Sequence, residues 1–318
     1  MQHIREVVAT EFQAVDDLII AQLHSDVGLV ENIGHYIVDA GGKRLRPLLS
    51  LLCAGACGEI SHKHIQLAAV VEFIHTATLL HDDVVDLSTL RRGLPTANAK
   101  WGAAPSVLVG DFLYSRAFQM LVSIGDMPLM GLLSDTTNTV AEGEVLQLVR
   151  AGDAEANAEA YFTVIQNKTA VLFAAACCGA AMLSGSTNGN ALYDYGMNLG
   201  MAFQLIDDVL DYEGDPAETG KNLGDDLNEG KVTLPLIHAM EHASPAQADL
   251  IRHAITAKSS DNIADIVEIV RACGSLKHTR KVAAEYSGDA LAALVPLRAS
   301  KYHQALLDLC KLALTRNK

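Results

Sequence analysis

The sequence predicts an all-α chain, and three observations carry that prediction. Apolar residues recur at helical spacing over most of the 318 positions, while alternating β-branched runs are nearly absent. Ala and Leu are abundant, and only eight prolines interrupt the pattern. Half of the residues are hydrophobic, enough to bury a large core.

The elements follow in order. Residues 2–25 read as one amphipathic helix and 27–40 as a second, which Gly41-Gly42 closes as a C-cap. Pro47 suits the first turn of a third helix. Ser61 to Asp86 is a long helix, and others are expected at 104–124, 128–150, 154–183 and 190–213. A polar, glycine-containing loop runs from Glu213 to Gly230, and 232–316 holds four or five shorter helices. No Pro/Ser-rich linker, charge block or regular repeat divides the chain. The expectation is one large helical domain over 1–318, in which two long helices face each other across a central cavity.

Composition removes several function classes. Lys and Arg total 24 against 38 Asp and Glu, a net charge of −14, which argues against nucleic acid and anionic membrane surfaces as partners. Cys53, Cys57, Cys177, Cys178, Cys273 and Cys310 form no CxxC pair and sit mostly among small apolar residues, as buried free thiols do. A reducing compartment follows. Met1 to Thr10 carries no signal-peptide pattern, and Ala170 to Leu183 is too short to span a bilayer. The expectation is a soluble, cytoplasmic protein without a transmembrane segment.

The chemistry is concentrated in Leu79-Leu80-His81-Asp82-Asp83-Val84-Val85-Asp86. On a helix, Asp82 and Asp86 are one turn apart and Asp83 lies three residues before Asp86, so all three acids are expected to point at one volume. Packed carboxylates resist ionising together unless a cation shares the site. A thiol-free oxygen set suits Mg²⁺, which bridges carboxylates to substrate phosphates. The pattern returns as Leu205-Ile206-Asp207-Asp208-Val209-Leu210-Asp211. Two such faces could clamp one diphosphate.

Cations lie where a diphosphate would want them. Gly42-Lys43-Arg44-Leu45-Arg46-Pro47 puts three at a helix start, where free backbone N–H groups also favour anions. Arg91-Arg92-Gly93 follows the first acidic motif, and guanidinium groups bind phosphate bidentately. Lys168-Thr169 sits mid-helix, Lys221 and Lys231 flank Asp225-Asp226, and Gln204 lies one turn before Asp208, at a core edge or facing the cavity. Glu72 and His75 have the Glu-x-x-His spacing of di-iron bundles, but no second copy accompanies them, which disfavours di-iron chemistry.

Together these stretches resemble the trans-isoprenyl diphosphate synthases over nearly the whole chain. The markers are Gly-Lys-x-x-Arg-Pro at 42–47, both Asp-Asp-x-x-Asp motifs, Arg91-Arg92-Gly93, Lys168-Thr169, Gln204 and Gly220-Lys221-Asn222. The segments at 74–81 and 224–231 are similar to the long-chain, bacterial octaprenyl type, whereas Leu87-Ser88-Thr89-Leu90 is less acidic than that pattern. The resemblance implies an isoprenoid-synthase fold and Mg²⁺, three ions per site with substrate bound. It implies that Asp82, Asp83 and Asp86 serve the allylic diphosphate, with Asp82 and Asp86 as direct ligands. Asp207 would hold a further ion, supported by Asp208 and Asp211. Arg91, Lys168, Lys221 and Lys231 would grip the allylic diphosphate, and Lys43, Arg46, His75 and Arg92 the isopentenyl diphosphate. Thr169 and Gln204 would present oxygen dipoles to the developing cation. The implied product is all-trans octaprenyl diphosphate for a quinone side chain, built on farnesyl or another allylic diphosphate by a homodimer.

Chain length is expected to be set upstream of the acids. Thr78 and Ala77 lie four and five residues before Asp82, about 6–7.5 Å along a helix, and are too small to plug an apolar tunnel. Its floor lies deeper, near Phe118 or Met120. A terpene cyclase shares ionisation chemistry but needs neither the second acidic motif nor the Lys43/Arg46/Arg92 set. A non-catalytic partner subunit would tend to have degraded acid motifs, and both are intact here.

Overall fold

The structure, a computed structural model, describes residues 1–91, 93–213 and 224–315. It is helical, with one two-residue hairpin. The helices are α1 (Gln2–Glu6), α2 (Ala9–Gln22), α3 (Gly28–Asp39), α4 (Leu45–Cys57), α5 (His62–Val85), α6 (Ala97–Trp101), α7 (Ala103–Ile124) and α8 (Met127–Arg150). They continue with α9 (Ala158–Ile165), a π turn at Gln166–Ala170, α10 (Val171–Leu183) and α11 (Gly189–Glu213). The rest are α12 (Asp225–Asn228), α13 (Leu234–His242), α14 (Pro245–Ala257), α15 (Ile263–Ala272), α16 (Ser275–Ala293) and α17 (Lys301–Thr315). The hairpin pairs β1 (Leu90–Arg91) with β2 (Leu94–Pro95), antiparallel.

Most boundaries follow local chemistry. Gly41 takes φ +75° just past α3, and Pro47 lies in the first turn of α4, as expected. Ser61 and His64 form a capping box at the start of α5, and Ser244 with Gln247 does the same for α14. Some expectations change, and the loop expected over Glu213–Gly230 carries the short helix α12. The helix expected over 2–25 breaks at Val7-Val8, where Val8 leaves helical geometry at φ −130°, ψ 30°. The 154–183 helix carries the π turn, a feature that hydrophobic periodicity does not signal.

The described residues form two compact units. The first comprises Met1–Thr137, Leu172–Gly196 and Ala293–Leu309. Its long helix α5 packs against α2, α4 and, most extensively, α7. Gly55 admits the Tyr302 ring where a Cβ would stand, only 2.5 Å away. The second comprises Asn138–Val171, Met197–Ala292 and Cys310–Lys318. One of its core clusters joins Val209 and Tyr212 of α11 to Leu236, Ile251, Ile255, Ile266 and Val270. All six cysteines are free. Among the described residues, two helices are long and apolar enough to cross a membrane, Ala103–Ile124 and Ala158–Leu183. The second corrects the expectation of a short apolar segment: the helix starts twelve residues before Ala170, though 67% of its apolar window is buried in the protein.

Candidate active site

The first acidic cluster stands at the C-terminal end of α5. Asp82 and Asp86, one turn apart, are both half-buried. Asp83, about 100° round the helix from Asp82 and about 60° from Asp86, is fully buried with 0% exposure. Its Oδ1 accepts from Arg91 Nε at 2.9 Å and Arg91 Nη2 at 2.7 Å. Its Oδ2 has no hydrogen-bond partner among the described residues. Burial raises the Asp83 pKa, the Arg91 bonds and charge oppose that, and Asp82 and Asp86 add to it. Asp83, expected to serve the allylic diphosphate with Asp82 and Asp86, is turned into the protein, and Arg91, expected to grip that diphosphate, is engaged with Asp83.

The chain reverses to make that pair possible. Ser88 N–H bonds Asp83 O at 3.0 Å and Leu87 N–H bonds Val84 O at 3.4 Å, the Schellman pattern. The left-handed position, at φ 53°, is filled by Leu87 where glycine is usual. The hairpin then carries Arg91 back beneath the helix, pinned by Tyr36 Oη donating to Pro95 O at 2.7 Å. Asn98 Nδ2 donates to the Asp83 carbonyl at 3.0 Å.

The basic run at 42–47 divides by role. Arg44, the α4 N-cap at φ 43°, is ion-paired to Asp16. The Lys43 carbonyl accepts from Arg5 Nη2 at 2.5 Å. The Arg46 guanidinium lies over the Phe173 ring, 4.5 Å from its centroid. Gly41, Arg44, Glu72, His75 and Thr76 line one cavity, so His75 meets Arg44 there, while Lys43 and Arg46 are not among its lining residues. Ala77 is buried. Thr78 is half-buried, and its hydroxyl donates to His75 O at 2.8 Å. On α7, Met120 is buried and Phe118 stacks with Tyr114 at 5.3 Å. Arg92 and Lys221, with Gly220 and Asn222, lie outside the described residues.

The second acidic cluster, on α11, repeats the pattern with different partners. Asp207 and Asp211, one turn apart, are half-buried, and Asp208 is 2% exposed. Tyr161 Oη donates to Asp208 Oδ2 at 2.5 Å and Gln204 Nε2 to Oδ1 at 2.8 Å. Thr169 Oγ1 donates to Gln204 Oε1 at 3.1 Å. Burial, reinforced by Asp226, raises the Asp208 pKa from 3.8 to about 7 against the two hydrogen bonds. Asp208, like Asp83, is thus turned inward. Lys168 and Thr169 sit within the π turn, and Lys168 Nζ lies 2.6 Å from Glu144 Oε2. Lys231 pairs with Glu229. Gly224 N–H reaches the Asp211 carbonyl at 3.2 Å.

Glycines let the π turn fit. A Cβ on Gly143 of α8 would come 2.8 Å from Lys168 N, and one on Gly200 of α11 would come 2.6 Å from Ala170 Cα. Tyr161, Glu144, Gly143 and Gly200 escaped sequence reasoning. The two glycines, isolated in helical patterns, were the available signal of close backbone approach. Nothing marked Tyr161.

Among the described residues no three His, Cys, Asp or Glu side chains form a cage for a metal ion. The donor set is instead two pairs of half-buried carboxylates, Asp82/Asp86 and Asp207/Asp211. That set fits Mg²⁺, which takes one or two carboxylates and completes its shell with water and substrate phosphate.

Comparison with known proteins gives a consistent family. The polyprenyl synthetase family model matches residues 27–273. The chain is 49% identical to the octaprenyl diphosphate synthase of Escherichia coli over 321 aligned residues, covering 100% of this chain and 99% of the relative. It is 47% identical to an all-trans-nonaprenyl-diphosphate synthase (geranyl-diphosphate specific) of Rhodobacter capsulatus, covering 99% and 98%. Among solved structures, the Caulobacter crescentus polyprenyl synthase complexed with calcium and isoprenyl diphosphate matches with a TM-score of 0.97 at 42% identity, over 100% and 98% of the two chains. The motifs, the helical fold and these full-length matches agree, and the chain belongs to the polyprenyl synthetase family.

Proposed function

We propose that this prenyltransferase makes a long all-trans prenyl diphosphate, octaprenyl diphosphate, by repeated addition of isopentenyl diphosphate to farnesyl diphosphate. The observation that carries the reading is the pair of intact acidic motifs, each with its outer acids half-open. The full-length identity to an octaprenyl synthase supports the length. On this reading 1–318 acts as one catalytic domain, in the cytoplasm, as a homodimer, serving quinone side-chain synthesis.

Asp82 and Asp86 would hold the ions that serve the allylic diphosphate, and Asp207 and Asp211 a further one. Mg²⁺ supplies neutralisation of the diphosphate as it departs. Lys168 and Lys231, together with Lys221, stabilise the same charge as it develops, and Arg91 lends its positive field from its place on Asp83. Lys43, Arg46, Arg92 and His75 hold isopentenyl diphosphate with its double bond toward the allylic carbon. Thr169 and Gln204 face the allylic cation with oxygen, and apolar walls exclude the water that would quench it. No protein nucleophile is needed.

Chromatography of the dephosphorylated product from farnesyl and isopentenyl diphosphates, with Mg²⁺, tests the proposal. An eight-unit all-trans alcohol is expected, and no elongation by the purified chain would sink the activity. The nonaprenyl relative supports a second reading of length and primer, and a nine-unit product made preferentially from geranyl diphosphate would establish it. Ala77→Tyr is expected to shorten the product while activity survives, and an unchanged product removes Ala77 from length control.

A further inference from the structure

The half-open acids and the cations have parts in the proposed reaction. Buried Tyr161 and Asp208 have none beyond proximity to Asp207. In the structure both Asp208 oxygens accept, Oδ2 from Tyr161 and Oδ1 from Gln204. A carboxylate facing an amide decides which end of the amide turns toward it. Here the Gln204 NH₂ faces Asp208, and its Oε1 points the other way. There it receives the Thr169 hydroxyl at 3.1 Å. The Thr169 proton is thereby committed to Gln204, and only the lone pairs of its oxygen remain for a third partner. With the amide flipped, Gln204 would donate to Thr169 and release that proton outward, presenting the positive end of the O–H dipole instead. The polarity of the whole row therefore starts at the Tyr161 phenol and ends in oxygen at the π turn.

From this we infer that Tyr161 and Asp208 are positioning residues, which fix the Gln204 amide so that Thr169 and Gln204 present oxygen to the allylic cation, and that Asp208 is not a metal ligand. The inference rests on the prenyltransferase reading above and deepens it. The backbone is prepared for the same end. Gly143 and Gly200 let α8 and α11 close on the π turn, which fixes where Thr169 stands relative to Gln204.

The test uses the full-length protein and Tyr161→Phe, Asp208→Asn, Gln204→Met and the Tyr161→Phe/Gln204→Met double variant. Each is measured for kcat, KM, half-saturating Mg²⁺ and the fraction of farnesyl diphosphate lost as alcohol. Loss of the Tyr161 hydrogen bond to Asp208 is expected to lower kcat roughly tenfold. The alcohol fraction should rise, with half-saturating Mg²⁺ and the KM for isopentenyl diphosphate unmoved. The double variant should be no slower than Gln204→Met alone, because the phenol acts through the amide. Calorimetric binding of inorganic diphosphate with Mg²⁺, which needs no turnover, should survive Tyr161→Phe and Asp208→Asn and weaken in Asp207→Asn. Asp208→Asn conserves volume and keeps a carbonyl for Gln204, so it serves if Tyr161→Phe does not fold. The inference is overturned if Asp208→Asn weakens Mg²⁺-dependent diphosphate binding as much as Asp207→Asn, or if the Tyr161 and Gln204 effects add. Wild-type protein that makes no prenyl diphosphate overturns the underlying activity and this inference with it. Active wild-type protein with either adverse result overturns this inference alone.

Discussion

In the first acidic motif the buried middle acid, Asp83, is held by a cation, both bonds coming from Arg91; in the second, Asp208 is held by two neutral donors, Tyr161 and Gln204. The same five-residue spelling thus yields two electrostatic devices. Arg91 opposes the burial that raises Asp83, with its hydrogen bonds and its charge. At Asp208 the neutral donors oppose burial without a positive charge, while Asp226 reinforces it, and the carboxyl rises to about 7. In both, the outer acids stay half-open at one-turn spacing. The middle acid ties the helix to its surroundings, while the outer two stay half-buried.

If that division of labour holds, the largest effects fall on outer acids in both motifs alike. Asp82→Asn and Asp207→Asn are each expected to lower kcat/KM by about 10²–10³, the loss typical of one preorganised electrostatic element. A steady-state assay that finds Asp83→Asn more damaging than Asp82→Asn would break the comparison. Next comes Arg91→Met, which strands a buried carboxylate and should destabilise the fold by about 3 kcal/mol in a denaturant melt. Tyr161→Phe should cost less, about 1–3 kcal/mol, because Gln204 remains on Asp208.

The backbone sharpens the contrast. Gly200→Ala drives a Cβ against Ala170 Cα and should cost about 1–3 kcal/mol. Gly110→Ala, beside the first motif, meets only the ring edge of His81, which can rotate away, so thermal melts should show the smaller loss.

Proton linkage separates the two middle acids further. The folded protein holds the Asp208 proton more tightly than the unfolded chain does. The stability this contributes is fully present below pH 3.8 and is lost as pH rises to about 7. Asp208→Asn has no such slope. Its melting temperature relative to wild type should therefore climb through that window and level off above it. The Asp83 carboxyl is raised in the same direction, so Asp83→Asn should gain on wild type in the same sense, against the opposing pull of Arg91. The smallest effect is expected at Leu87, whose left-handed backbone costs a side chain about 0.5–1 kcal/mol; Leu87→Gly should raise the melting temperature slightly.

Local chemistry decided much of this protein by itself. Hydrophobic periodicity, the Ser61 cap and Gly41 set where helices start and stop, because those signals act within a turn or two of chain. The Asp-x-x-x-Asp spacing likewise placed Asp82 with Asp86 and Asp207 with Asp211, since 3.6 residues per turn leaves no other face for them. Tertiary structure alone decided the rest. That Arg44 belongs to Asp16 and Tyr161 to Asp208 depends on segments brought together from elsewhere in the chain. The break at Val7-Val8 and the π turn at Gln166–Ala170 are also tertiary outcomes, because the packing of neighbouring helices, not residue periodicity, makes an irregular backbone the better fit.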